Sequence, residues 1–168
     1  MAERGYVRNM SIIAEPPITK SVPKSKLRSA PAFKRRGNLL GLTATDTTDL
    51  IQQIDAGFSF STLLELESKS GISLSLLTPV LGIPERTLAR RRASGTLSSE
   101  ESERLLRVSN IFEKCLELFE GDKSATVTWL TTPKKAFNSQ TPLSYSRTEL
   151  GAREVENLIG RIEHGVFS

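Results

Sequence analysis

The stretch Ile72-Ser-Leu-Ser-Leu-Leu-Thr-Pro-Val-Leu-Gly-Ile-Pro-Glu-Arg-Thr-Leu-Ala-Arg-Arg-Arg-Ala-Ser-Gly-Thr-Leu97 sets the architecture of the chain. Leu77 and Leu81 are four residues apart and share one face of a short helix. Pro79 lies inside that helix, which requires it to begin near Ser75. Gly82 breaks it where a tight turn needs a residue without Cβ, and Ile83 plugs the space beneath the turn. Pro84 suits the first turn of a second helix, where its missing N–H would have had no partner. That helix has one apolar anchor, Leu88, with Ala89 beside it. Arg86, Thr87, Arg90, Arg91 and Arg92 cover most of its remaining surface, and Gly95 ends it. A short helix, a glycine turn and an arginine-rich helix form the pattern of a helix-turn-helix, whose second helix enters the major groove of DNA.

A helical hairpin with a solvated basic face would show part of this pattern. Four arginines within seven residues, beside one glutamate and no aspartate, favour DNA. The position four before the turn glycine, commonly Ala or Gly in such motifs, is Thr78 here. Residues near the start of the second helix reach base edges, which assigns base contacts to Arg86 and Thr87. Later arginines more often meet phosphates.

The 168 residues, 38% hydrophobic and 25% charged, suffice for one compact domain of ordinary size with a tail. No run of about eighteen apolar residues exists, so no segment reads as membrane-spanning. A single cysteine, Cys115, and a single histidine, His164, exclude an internal disulfide, a cysteine-based zinc site and histidine-pair metal sites. A reducing cytoplasm fits this usage. Residues 1–37 carry nine Lys/Arg and two Glu, net +7, whereas residues 38–168 carry 14 basic and 17 acidic side chains, net −3. Basicity therefore belongs to an N-terminal arm, residues 1–45, and to the arginine helix. The arm has the Ser- and Arg-rich composition of a transit peptide, but Pro16, Pro17, Pro23 and Pro31 prevent one long amphipathic helix. A largely disordered arm, supplying diffuse phosphate contacts or serving as a linker, is the expectation.

Every other element reads as helix. Asp46 or Thr48 can cap a helix with Leu50, Ile51 and Ile54 inward, closed by Gly57. Ser59 or Ser61 can cap the next, with Leu63, Leu64 and Leu66 inward, ending at Gly71. Ser98 and Glu101 form a capping box for the longest helix, on which Leu105, Val108, Ile111, Phe112, Cys115, Leu116 and Phe119 make one wide apolar stripe. Gly121 stops it. Asp122 caps a helix carrying Ala125, Val127, Trp129 and Leu130, with Trp129 placed in the core, and Pro133 ends it. A loop from Lys134 to Thr141 leads to a turn at Pro142-Leu143. Thr148 caps a last helix with Leu150, Val155, Leu158, Ile159 and Ile162 inward, ended by Gly165. The fold class expected is all-α.

Catalysis has little to work with. There is no glycine-rich phosphate loop and no HxxxH or CxxC spacing. Cys115 and His164 fall on different helices, and Cys115 has no basic neighbour on its own face to activate it. No catalytic residue, metal or cofactor is assigned, and an enzyme built on Cys115 is the weakest of the readings.

The C-terminal third adds a second signal. Trp129-Leu130-Thr131-Thr132-Pro133, Thr141-Pro142-Leu143, Thr148-Glu149-Leu150-Gly151 and Arg161-Ile162-Glu163-His164-Gly165-Val166-Phe167 stand in order behind the helix-turn-helix Leu81–Arg91 and the segment Leu97–Leu105. Together these six elements resemble the Xre/MbcA/ParS family of bacterial antitoxins over about residues 48–168. Where that family usually has two glycines before its Thr-Pro-Leu element, this chain has Asn138-Ser139. Where it favours apolar residues after Pro-Leu, Ser144-Tyr145-Ser146 stand here.

The resemblance implies a helix-turn-helix domain over 46–120 and a small helical toxin-binding domain over 121–168. It implies an antitoxin that occludes the active site of a RES-domain, NAD-degrading toxin and represses its own operon as a homodimer or higher oligomer on operator DNA. Arg153, Asn157, Arg161, Glu163, His164 and Phe167 would face the toxin, and Arg86, Thr87, Arg90, Arg91 and Arg92 the DNA. The competing expectation is a stand-alone transcriptional regulator whose C-terminal part serves dimerisation or sensing.

Overall fold

The structure is a computed structural model, and it describes residues 39–44 and 46–165. The basic arm up to residue 38, and Val166 and Phe167, lie outside the described residues. Within them the fold is all-helical: α1 (Thr47–Ala56), α2 (Phe60–Ser70), α3 (Leu74–Leu81), α4 (Glu85–Ser94), α5 (Ser99–Leu118), α6 (Lys123–Thr131), α7 (Pro142–Tyr145) and α8 (Glu149–Glu163), with a one-turn 3-10 helix over Lys135–Phe137. Two isolated β-bridges, Ser59 with Thr96 and Lys134 with Gln140, are the extended pairings among the described residues.

The caps follow the side chains that the sequence supplies. Asp46, Ser59, Asp122, Thr141 and Thr148 each accept a backbone N–H from the first turn of their helix. Ser98 and Glu101 form the full capping box of α5. Each such cap removes an orphaned donor and contributes about 1 kcal/mol. Pro84 does not enter the first turn of α4 but caps it, with extended backbone. Pro79 sits inside α3, which begins at Leu74, one residue earlier than the expected start. The amide that Pro79 lacks would have met the carbonyl of Ser75, an exposed residue.

The 20-residue helix α5 is the axis of the molecule. It packs against α1, α2, α3, α6 and α8. Leu105, Ile111, Phe112 and Cys115 on its inner face are fully buried, and Leu77, Leu81, Leu130 and Val155 reach them from α3, α6 and α8. Burying one such leucine or phenylalanine contributes about 1.5–3 kcal/mol. Leu40 is also buried, and the Leu39 N–H is donated to Glu113 Oε1 on α5 at 2.8 Å. The core thus takes in Leu40 from the stretch read as arm, with Leu39, Leu42 and Ala44 packed against it.

Four apolar residues expected inside are not. Ile51 is 52% exposed, Leu64 40% and Leu150 73%, and Trp129 is half-buried with the Lys134 ammonium 5.7 Å from its ring centroid. Ile51 and Leu64 directly follow Leu50 and Leu63, which hold the inward position, and a 100° step carries the second residue toward the rim.

Candidate nucleic-acid interface and C-terminal partner surface

Gly82 makes the turn between α3 and α4 in the left-handed region (φ 69°), and the Ile83 N–H returns to the Thr78 carbonyl at 2.9 Å. A Cβ on Gly82 would stand 2.7 Å from the Arg104 guanidinium, which donates to the Leu81 carbonyl at 3.1 Å. The turn is therefore held from outside by α5. The far end of α4 is held as well: Phe60 N–H binds the Gly95 carbonyl at 2.8 Å and Leu97 N–H binds the Phe58 carbonyl at 2.9 Å. The arginine helix is a rigid projection on a fixed base.

Its five candidate DNA contacts are not equivalent. Successive residues step 100° around α4, so Arg86 and Arg90 project together, Thr87 flanks them, and Arg91 and Arg92 turn toward the body. Arg91 Nε donates to Glu101 Oε2 at 2.7 Å, and the Glu101 side chain is 7% exposed. The Arg92 guanidinium lies 5.8 Å above the Phe60 ring. Arg86 and Arg90 are exposed and tied to no carboxylate among the described residues. The helix docks through Leu88, half-buried, and through these two arginines. Side chains that look alike in the sequence divide into two that fasten the helix and two that point away from it.

The C-terminal surface is carried by α8. Gly151, Ala152, Val155 and Ile159 bury one face against α5. The helix starts on a close approach: a Cβ at Gly151 would fall 1.9 Å from the Tyr145 carbonyl oxygen, so α7 turns into α8 only over glycine. The opposite face presents Leu150, Arg153, Asn157, Arg161 and His164, all exposed. Glu163, also exposed, stands on its flank, and Phe167 lies outside the described residues. Arg153 Nε binds Glu149 at 3.1 Å; Asn157, Arg161 and His164 carry no such bond among the described residues.

Between α5 and α8 runs an open charged groove of about 530 Å³. Arg107 donates to Glu149 and Glu103, each at 3.0 Å, and Lys114 to Glu156 at 2.5 Å. The sequence reading singled out neither Arg107 nor Lys114. Both lie on the outer edge of the apolar stripe of α5, and only the packing of α8 shows what they meet. Leu150 was read as inward, although its spacing of three and seven from Arg153 and Asn157 puts it on their face.

The Cys115 thiol is buried, and burial pushes its pKa up to about 12, with the Lys134 charge opposing weakly. It stays protonated at neutral pH and has no nucleophilic character. No cluster of three metal-ligating side chains occurs among the described residues, and no helix there is long and apolar enough to cross a membrane.

Comparison with known proteins covers both surfaces. A family model described as the Antitoxin Xre-like helix-turn-helix domain matches residues 49–110, and one described as the Antitoxin Xre/MbcA/ParS C-terminal toxin-binding domain matches residues 116–165. An Antitoxin Xre of Yersinia enterocolitica is 40% identical over 141 residues, spanning 82% of this chain and 95% of its own length. One of Photorhabdus laumondii is 29% identical over 87% of this chain and 97% of its own. One of Pseudomonas putida is 32% identical over 67% of this chain and 70% of its own.

Proposed function

The chain belongs to the Xre antitoxin family and is an antitoxin of a toxin–antitoxin pair, not an enzyme; from that premise we propose that it neutralises a RES-domain, NAD-degrading toxin by occluding the toxin's active site, and represses its own operon. The NAD chemistry belongs to the partner. This chain's residues supply two binding surfaces at opposite ends of one scaffold, in the cytoplasm where both partners would be met. Residues 46–120 carry the DNA function and residues 121–168 the toxin function, with α5 common to both.

The observation that carries the reading is the outward projection of Arg86 and Arg90 on a helix otherwise pinned by its own arginines. Two extended cations one turn apart fit adjacent guanine or phosphate acceptors in a major groove. Thr87 flanks them. Arg91 and Arg92 keep terminal nitrogens that can reach phosphates from the helix edge. A dimer would place two such helices on half-sites about 34–36 Å apart. At the other end, the face of Arg153, Asn157, Arg161 and His164, flanked by Glu163, would enter the toxin's cleft, and Phe167 is proposed to contribute as well.

Footprinting of the chain on its own promoter DNA tests the first half. Arg86→Ala with Arg90→Ala should lose at least tenfold in operator affinity, since one bidentate base contact contributes about 1–3 kcal/mol. Unchanged affinity would remove α4 from the interface. Co-expression with the operon's toxin tests the second half. If no toxin associates with the intact chain, it acts as a stand-alone regulator instead.

A further inference from the structure

Arg107 pairs with Glu149 at 3.0 Å and Lys114 with Glu156 at 2.5 Å, and in both pairs the partners lie 42 positions apart in the chain. The equal separation means that α5 and α8 run in the same direction and advance together. Cations seven residues apart on one helix face carboxylates seven apart on the other. Seven residues are close to two turns, so both clamps fall on one seam. The clamps are unequal. The Arg107 side chain is 14% exposed and reaches three acceptors: Glu103 on its own helix, Glu149 in the first turn of α8, and the Arg147 carbonyl just before it. Lys114 and Glu156 are 49% and 31% exposed. A pair that open to water contributes little to stability and more to orientation.

The apolar contacts beside these clamps do not choose an alignment by themselves. α8 buries Gly151, Ala152, Val155 and Ile159, small or branched residues whose attraction is non-directional. The glycine approach at the Tyr145 carbonyl ties α8 to α7, not to α5. The charges are selective. A slip of α8 by four residues would set Arg153 level with Arg107, and a slip of three in the other sense would set it level with Lys114. Either slip brings two cations together, which is destabilising. In the observed alignment each cation of α5 meets a carboxylate, and Arg153 binds the outer side of Glu149 at 3.1 Å. The order Glu149, Arg153, Glu156 thus opposes a slip of one turn in both directions.

We infer that Arg107 is a positioning residue for toxin binding: from the central helix it fixes the axial register and rotation of α8, and so sets where Leu150, Arg153, Asn157 and Arg161 stand, with Lys114 holding the same alignment two turns on. This rests on the toxin-binding reading of α8 and adds to it a residue outside the toxin-binding face. The reason is geometric. A slip of one turn moves α8 by about 5.4 Å, which exceeds hydrogen-bond reach, so every polar contact on that face would be lost together.

The test uses the full chain with spin labels on Glu100→Cys in α5 and Glu154→Cys in α8, both exposed positions, while the native Cys115 is buried and stays unlabelled. Pulsed dipolar spectroscopy gives the distance between the helices. Calorimetry of the unlabelled chains against the toxin polypeptide encoded in the same operon gives affinity. Arg107→Met keeps a packed stem without the charge; it should displace or broaden the distance and lower toxin affinity by about tenfold or more. Arg107→Lys should restore the distance and much of the affinity. Glu101→Gln, which removes stability at the α4 end, should bind toxin as the parent does. Parent-like affinity in Arg107→Met would overturn the inference. So would lost affinity at a parent-like distance, since Arg107 would then touch the toxin itself, or an equal loss in Glu101→Gln. If Arg107→Met does not fold, Lys114→Glu decides: it should displace the distance and weaken binding by facing Glu156, and adding Glu156→Lys should restore both, whereas an unmoved distance would overturn the alignment. A parent chain that binds no toxin would overturn the toxin-binding reading of α8 and, with it, the role of Arg107 in binding.

Discussion

Arg91 Nε in the arginine helix α4 and Glu101 Oε2 in the first turn of α5 stand 2.7 Å apart, and the same carboxylate oxygen accepts the Ser98 N–H at 2.7 Å. One side chain thus completes a helix cap and fastens α4 to the central helix. Glu101→Ala would leave Arg91, 22% exposed, without its counter-charge and Ser98 without its acceptor. A loss of about 2–4 kcal/mol in urea unfolding is expected. Glu101→Gln keeps a cap acceptor and should cost about half as much. Equal losses for the two variants would assign the effect to the charge pair alone.

Glu149 should make a small contribution to acid sensitivity. The Arg153 hydrogen bond, opposed by burial and assisted by the Arg107 and Arg153 charges, holds its carboxyl below the ordinary 4.5. A carboxyl depressed on folding contributes stability that is whole above its unfolded value and is lost as pH falls through the folded one. The side chain is 57% exposed, so salt should weaken the effect. Melting temperatures of the parent and Glu149→Gln should therefore differ above pH 4.5 and converge below it. A constant gap down to pH 2 would show that the ion pairs are not its source.

The loop before α7 contains a local conflict. Asn138 (φ 52°) and Ser139 (φ 61°) both occupy the left-handed region. Asparagine tolerates that conformation better than serine. The turn is kept by the Ser139 N–H to the Lys134 carbonyl at 3.0 Å and by Phe137 stacked on Tyr145 at 4.8 Å. Ser139→Gly should raise stability by about 0.5–1 kcal/mol, net of the entropy that glycine adds to the unfolded chain. Asn138→Gly should gain less. Ser139→Val should lower the melting temperature.

Ser109 is fully buried in the middle of α5, and its hydroxyl has no hydrogen-bond partner among the described residues. An unsatisfied buried hydroxyl costs about 1–3 kcal/mol. Ser109→Ala removes it with almost no change in volume and should stabilise the chain by about 1 kcal/mol in chemical denaturation. A destabilised variant would show that the hydroxyl is satisfied in solution.

What the sequence determined by itself is local in origin. The caps at Asp46, Ser59, Ser98, Asp122 and Thr148, the glycine stops and the apolar stripe of α5 depend on residues within a turn or two of each other, and spacing reveals them. The helix-turn-helix was legible for the same reason, as was the all-helical class. The tertiary structure decided what depends on the far side of a packed pair. Arg86, Arg90, Arg91 and Arg92 are chemically one set in the sequence. Glu101 and Phe60, ten and thirty-two residues from the arginines they hold, separate them. Leu39 and Leu40 read as the end of a basic arm until Glu113 and the core receive them. Gly151 and Gly160 look alike in the sequence, and only the Tyr145 carbonyl behind Gly151 shows that a Cβ has no room there. Periodicity states which face of a helix is apolar; what stands opposite that face is set by contacts distant in sequence, which no local pattern encodes.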